Sequence, residues 1–214
     1  MRTLHEIATA CGTDKGPLGH NYTPYYDMFF APLRDKPITL FEIGVWEGAS
    51  LKMWEEYFHN AEIVGADLHN KTIYETDRIK TIIMDQSSEN HLFSAQFAYA
   101  NSTDIIIDDG SHKAEDQILS FETLFPDLRP GGMYCVEDTL CSYDKERWGK
   151  TASFIDYISK LTGDVNMNGK MSNLEICANK KQQVHKYEAL NTFERNIEWV
   201  FVSCGLCIVK KLFI

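Results

Sequence analysis

Several features are missing from this 214-residue chain, and each absence narrows the field. No apolar run is long enough to span a bilayer as a helix. The opening Met1-Arg2-Thr3-Leu4-His5-Glu6 lacks the hydrophobic core of a secretory signal, so the expected location is cytoplasmic. Basic residues are outnumbered, 21 Lys and Arg against 31 Asp and Glu, for a formal charge of −10. Such a chain lacks the overall positive surface that the phosphates of a nucleic-acid substrate demand. Cysteine is sparse and scattered, at positions 11, 135, 141, 177, 204 and 207. Cys204 and Cys207 form a C-x-x-C with neither a second pair nor a helix N-terminus beside it, so both read as structural. Internal repeats, low-complexity tracts and a second globular domain are also absent, and the length suits one α/β domain.

The stretch Thr39 to Ser50 organises what is there. Thr39 to Ile43 is a short apolar run rich in strand-forming residues, preceded by Pro37. Gly44 and Gly48 let the backbone turn and come close to a ligand. Leu51, Trp54 and Phe58 then recur at helical spacing. Strand, glycine loop and helix N-terminus together make a nucleotide-type cradle. The run is Glu42-x-Gly44-x-x-x-Gly48, with Trp46 where a dinucleotide fingerprint has its second glycine, which favours a ligand without a pyrophosphate. A second strand, Glu62 to Asp67, ends in an acid about twenty residues beyond the glycine loop, where it can accept hydrogen bonds from ribose hydroxyls. A third strand, Ile79 to Met84, delivers Asp85 and Gln86 to a position suited to an adenine edge, and Ser87 or Ser88 can cap the next helix.

The second informative stretch runs from Ser102 to His112. Three consecutive isoleucines read as a strand buried on both faces, and it ends abruptly in Asp108, Asp109, Gly110, Ser111 and His112. A fifth strand, Met133 to Val136, carries Glu137 and Asp138 at its tip. Ligands of open α/β sheets bind beyond the carboxyl ends of the strands. Four acids converging there repel one another unless a cation or protons balance them, and hard oxygen donors suit Mg²⁺, Mn²⁺ or Ca²⁺. His112 is the natural general base, since imidazole titrates near neutrality and can take the proton of a hydroxyl.

Residues 1–36 read as a helical and loop cap over the site, and 37–214 as the core. Within the cap, Thr3 to Ala10 forms a short helix, a glycine- and proline-rich loop follows, and Thr23 caps a helix with Pro24 at its first position. His20, Tyr22, Tyr25 and Tyr26 crowd aromatic and polar groups near that loop. Leu140 to Lys150 reads as an irregular loop, Thr151 to Leu161 as a helix, and 163–196 shows no clear pattern. Ile197 to Val202 and Leu206 to Lys211 form a terminal hairpin.

Gly12-Thr13-Asp14-Lys15-Gly16, the Glu42-to-Gly48 loop, Asp108-Asp109-Gly110-Ser111-His112 and Val136-Glu137-Asp138-Thr139 occur in an order that resembles the S-adenosylmethionine (SAM)-dependent sugar O-methyltransferases of macrolide biosynthesis, the mycinamicin 2''-O-methyltransferase type. The resemblance spans roughly residues 10 to 140. It implies an α/β, Rossmann-like class I methyltransferase fold, with a mostly parallel seven-stranded sheet and an antiparallel last strand. It implies Asp109, Glu137 and Asp138 as ligands of Mg²⁺ or another divalent cation, with His112 as catalytic base. SAM contacts are expected from Glu42, Gly44 and Gly48 of the glycine loop, from Asp67 and Leu68, and from Asp85, Gln86 and Asp108. Thr13 and Tyr22 of the cap complete that expected set. The expected partner is a hydroxyl on a sugar, glycan or glycosylated small molecule, and a homo-oligomer is compatible with the pattern. The alternatives are a metal-independent small-molecule methyltransferase, a non-catalytic SAM-binding subunit and, disfavoured by Trp46, a nucleotide-dependent oxidoreductase.

Overall fold

The structure is a computed structural model that describes residues 2–144, 153–165 and 191–213. Trp148, Cys177, the first residues of the helix expected from Thr151, and most of 163–196 lie outside them.

The expected strands form one seven-stranded sheet. They are β1 (Thr39–Ile43), β2 (Glu62–Asp67), β3 (Ile79–Ile83), β4 (Ile105–Asp108), β5 (Met133–Val136), β6 (Ile197–Val202) and β7 (Cys207–Lys211). Their order is β3-β2-β1-β4-β5-β7-β6. The first five are parallel, and β7 alone runs antiparallel to its neighbours β5 and β6. This is the α/β architecture expected from the motifs. The order reverses at β1, so the carboxyl ends of β1 and β4 open a crevice between them.

Residue alternation sorts the core onto the two faces. Leu40, Ile105, Ile107, Met133 and Cys135 point to one side and pack under α1 (Leu4–Cys11), α2 (Thr23–Phe30) and α3 (Ala49–Tyr57). Phe41, Ile43, Ile106, Tyr134 and Val136 point to the other, under α4 (Glu89–Tyr99), α5 (Ala114–Leu124) and α6 (Phe154–Val165). A short α7 (Thr192–Asn196) leads into β6. With both faces covered, the central strands are largely apolar, Glu42 of β1 and Asp108 of β4 being the buried exceptions, which is why the three isoleucines of β4 break the usual two-residue alternation.

Local signals set the helix ends. Thr3 and Glu6 form a reciprocal capping box at α1, and Gly12 closes that helix in a left-handed conformation. Ser88 caps α4. Thr23 differs from its expected role. It is already the first residue of α2, whose N-cap is Tyr22, and its hydroxyl lies 3.4 Å from His5 Nδ1. Pro24 needs no amide partner in that first turn, so no side-chain cap is required. Helix α6 continues past Leu161 to Val165.

Candidate functional site

The glycine loop is shaped by what lies against it. Gly44 has φ +91°, and a Cβ there would sit 2.1 Å from the Asp109 carbonyl oxygen. The loops after β1 and β4 are therefore in backbone contact, and any side chain at 44 would wedge them apart. Trp46 takes the left-handed conformation too, at φ +48°, although it carries a large side chain that is 81% exposed. Asp67, at the tip of β2, holds this turn. One carboxylate oxygen accepts from the amides of Val45 and Trp46 at 3.0 and 3.2 Å, and the other from His69 N at 2.9 Å.

Beside this turn lie two adjoining clefts of about 410 and 440 Å³, which share Gly44, Asp67 and Gly110. The first is bounded by Ala66, Asp67, Leu68, Asp85 and Gln86, the second by Thr13, Lys15, Trp46, Asp109 and His112. Five of the expected site residues, Gly44, Asp67, Leu68, Asp85 and Gln86, thus line one wall. The Asp85 carboxylate accepts from the hydroxyl and amide of Ser87, which hold it below its ordinary range.

Asp108 and Glu42 lie beneath the clefts. Asp108 is fully buried and accepts from Gln86 Nε2 at 2.8 Å and Ser120 Oγ at 2.5 Å. Gln86 in turn accepts from Ser111 N at 2.9 Å. The acid therefore orders the floor through Gln86. Burial pushes it up to about 7, against the pull of Ser120 and Gln86. Glu42 is also fully buried, accepting from Ser50 Oγ at 2.9 Å and Trp54 Nε1 at 3.4 Å. Burial raises it to about 7 while Lys15 opposes the rise.

The tips of β4 and β5 turn toward each other. His112 and Asp138 both adopt left-handed backbone, at φ +57° and +53°. That strained conformation, worth about 1–3 kcal/mol at a non-glycine residue, marks a segment the surroundings hold in place. His112 Nε2 then lies 3.8 Å from Asp138 Oδ2. Donor atoms of Asp109, His112 and Asp138 all fall within 4.8 Å of one another. Glu137 takes a different direction. Only 1% exposed, it accepts from Tyr26 OH at 2.5 Å and Lys15 Nζ at 3.0 Å.

The N-terminal segment supplies the rest. Tyr22 OH donates to Asp138 Oδ1 at 2.7 Å, and the His20 ring stacks on Tyr22 with Nδ1 3.6 Å from the same oxygen. Lys15 is 0% exposed. Its ammonium donates to Asp109 and Glu137 and lies 3.5 Å from Glu42. Burial alone would lower its pKa, but Asp109, Glu137 and Glu42 outweigh that and hold it well above the ordinary lysine range. Lys15 carried no expected role of its own, and Tyr26 was expected only as one of the aromatic groups of the cap. A signal that could have found Lys15 is the surplus of acid at the sheet edge, which calls for a cation, but nothing local to its glycine-rich loop singles it out.

Fold and site together define a Rossmann-like methyltransferase architecture. Over 99% of this chain and 54% of the other, it superimposes with a TM-score of 0.85 and 28% identity on the MycE methyltransferase of the mycinamycin biosynthetic pathway, solved with Mg and SAH. The same enzyme with Mg, SAH and mycinamycin VI matches with a TM-score of 0.82 and 29% identity, over 99% of this chain and 55% of that one. In sequence, the chain is 40% identical over 147 residues to 8-demethyl-8-alpha-L-rhamnosyl tetracenomycin-C 2'-O-methyltransferase of Streptomyces olivaceus, covering 65% of this chain and 38% of that protein. It is 37% identical over 147 residues to mycinamicin VI 2''-O-methyltransferase of Micromonospora griseorubida, covering 65% of this chain and 37% of that protein. The resemblance carried by the motifs is thereby borne out, although the chain spans only about two fifths of the length of these relatives. No protein-family profile matches it.

Proposed function

We propose that this chain is a SAM-dependent O-methyltransferase acting on a hydroxyl of a sugar, glycan or glycosylated small molecule, assisted by a divalent cation. The observation that carries this reading is the convergence of His112, Asp109 and Asp138 beside a cleft that Gly44 and Asp67 also line. The relatives named above, sugar O-methyltransferases, support it.

The residues fit the two groups the reading needs. Asp67 still has acceptor capacity for ribose hydroxyls, and Leu68 and Asp85 edge the adjoining cleft. Asp109 and Asp138 offer hard oxygen donors within reach of one point, with Glu137 beside them on Lys15. The cation, when bound, lowers the pKa of a coordinated hydroxyl and neutralises charge. His112 takes the acceptor's proton while the hydroxyl oxygen bonds to the methyl carbon and the carbon–sulfur bond breaks, leaving SAH. Both substrates held in line supply much of the acceleration. Residues 1–36 act as the cap that closes the site, through Tyr22 and His20 on Asp138. We also place the chain in the cytoplasm, with an acceptor that is not a nucleic acid; among the described residues no helix is long and apolar enough to cross a membrane.

His112 lies among the candidate ligands, so a ligand role is the second reading. Calorimetric titration with SAM, with and without Mg²⁺ and after EDTA, tests the main claim. No SAM binding under any condition overturns it, and SAM binding without a divalent-cation site removes the metal alone. His112→Ala should keep SAM affinity within about twofold and lose turnover by about 10²–10⁴ if it is the base. A parallel loss of Mg²⁺ affinity in that variant assigns it as a ligand instead.

A further inference from the structure

Lys15 is a fully buried cation that the proposed reaction does not use. Its ammonium reaches acids from three adjacent strands: Glu42 within β1, Asp109 after β4 and Glu137 after β5. The loop is anchored to deliver it there. The Lys15 carbonyl accepts from the amides of Tyr22 and Thr23 at 2.9 and 3.2 Å, where α2 begins, and its amide lies 3.4 Å from Thr13 Oγ1. Tyr26, one turn into that same helix, holds the other oxygen of Glu137. Asp109 faces two ways. Oδ2 is held by Lys15, while the carboxylate remains partly exposed, with a donor atom within 4.8 Å of those of His112 and Asp138.

We propose that Lys15 is a positioning residue that pins the Asp109 carboxylate in the geometry with which it meets a divalent cation beside Asp138, while holding Glu137 behind it. This rests on the metal-assisted reading above. Without the ammonium, Asp109 and Glu137 repel each other across the gap it fills, and the partly exposed Asp109 swings out of line with Asp138. Groups that orient metal ligands typically contribute about 10–100-fold to affinity. The competing account is that Lys15 only cancels negative charge. The two differ in sign. Removing a positive neighbour from an otherwise unchanged set of acids tightens cation binding by Coulomb attraction, whereas losing the ligand geometry weakens it.

The test is a titration of the full chain with Mn²⁺, followed by the loss of the free-ion electron paramagnetic resonance signal, alongside calorimetry with SAH. Lys15→Met keeps most of the length of the side chain and removes its charge. The expected result is an Mn²⁺ Kd weakened about 10–100-fold, with the SAH Kd changed less than about threefold, a pattern that general loss of structure does not produce. Unchanged or tighter Mn²⁺ binding with SAH binding retained overturns the proposal. If Lys15→Met does not fold, Lys15→Arg decides. The guanidinium keeps the charge but its planar fork cannot occupy the single point between three carboxylates. Mn²⁺ binding weakened at least about tenfold is expected there, and wild-type affinity overturns the proposal. A wild-type chain that binds neither SAH nor Mn²⁺ removes the functional reading and this inference with it, an outcome distinct from a wild type that binds both and a variant that matches it.

Discussion

Asp108→Asn isolates the cost of burying an acid beneath the site. The wild-type carboxyl is pushed from an ordinary 3.8 up to about 7 by burial, with Gln86 and Ser120 opposing the rise. That is a little over three pH units, or ~4 kcal/mol at 1.36 kcal/mol per unit. The native state holds the proton more tightly than the unfolded chain, so this stabilisation is complete below pH ~4 and is lost as pH rises through about 7. Between pH 5 and pH 8 about 2.5 kcal/mol of it disappears. Asparagine does not titrate, and the other buried acids, Glu42 among them, are common to both proteins. The difference between the two stability curves therefore belongs to position 108. Urea unfolding in EDTA at half-unit steps from pH 5 to 8 measures it. Asp108→Asn should be the less stable protein at pH 5, because its amide meets the Gln86 and Ser120 donors, and the gap should shrink by about 2.5 kcal/mol by pH 8. In thermal melts that change is roughly 5–10 °C for a chain of this size. A gap constant to within about 0.5 kcal/mol across the range would refute the assignment and leave Asp108 ionised in the native state throughout.

Three further substitutions probe the cleft and what lies beneath it. Asp67→Ala removes the acceptor for the amides of Val45, Trp46 and His69, and SAM affinity measured by calorimetry should fall at least about tenfold; unchanged affinity would mean the turn holds its shape without the acid. Gly44→Ala places a methyl 2.1 Å from the Asp109 carbonyl at φ +91°, so it should lower Tm by several degrees and weaken Mg²⁺ binding together, and a variant with wild-type values for both would contradict the backbone contact. Tyr26→Phe strips Glu137 of its 2.5 Å hydrogen bond in a fully buried setting, for a loss of about 2 kcal/mol and roughly 4–8 °C in Tm, read by differential scanning calorimetry.

What the sequence determined by itself was local and periodic. The strand-glycine-helix of Thr39 to Tyr57, the triple isoleucine of β4, the terminal hairpin and the acids at strand tips were all legible, because each is set by near-neighbour rules of pattern and turn chemistry. The rule that open α/β sheets bind ligands at their carboxyl edges assigns Gly44, Asp67, Asp109, His112 and Asp138 to one edge of the sheet from sequence alone. Tertiary structure alone decided how acids of the same type divide. Asp108 and Asp109 are neighbours in sequence, yet strand pleat sends one under Gln86 and Ser120 and the other to the cleft. Glu137 and Asp138 separate likewise, one onto Lys15 and Tyr26, the other toward His112, Tyr22 and His20. Lys15 was the least legible residue of the site. A lysine in a loop rich in glycine is solvated by default, and only the meeting of three strand ends, residues 27 to 122 positions away, makes its burial favourable. Such pairings depend on long-range contacts, which no local pattern encodes.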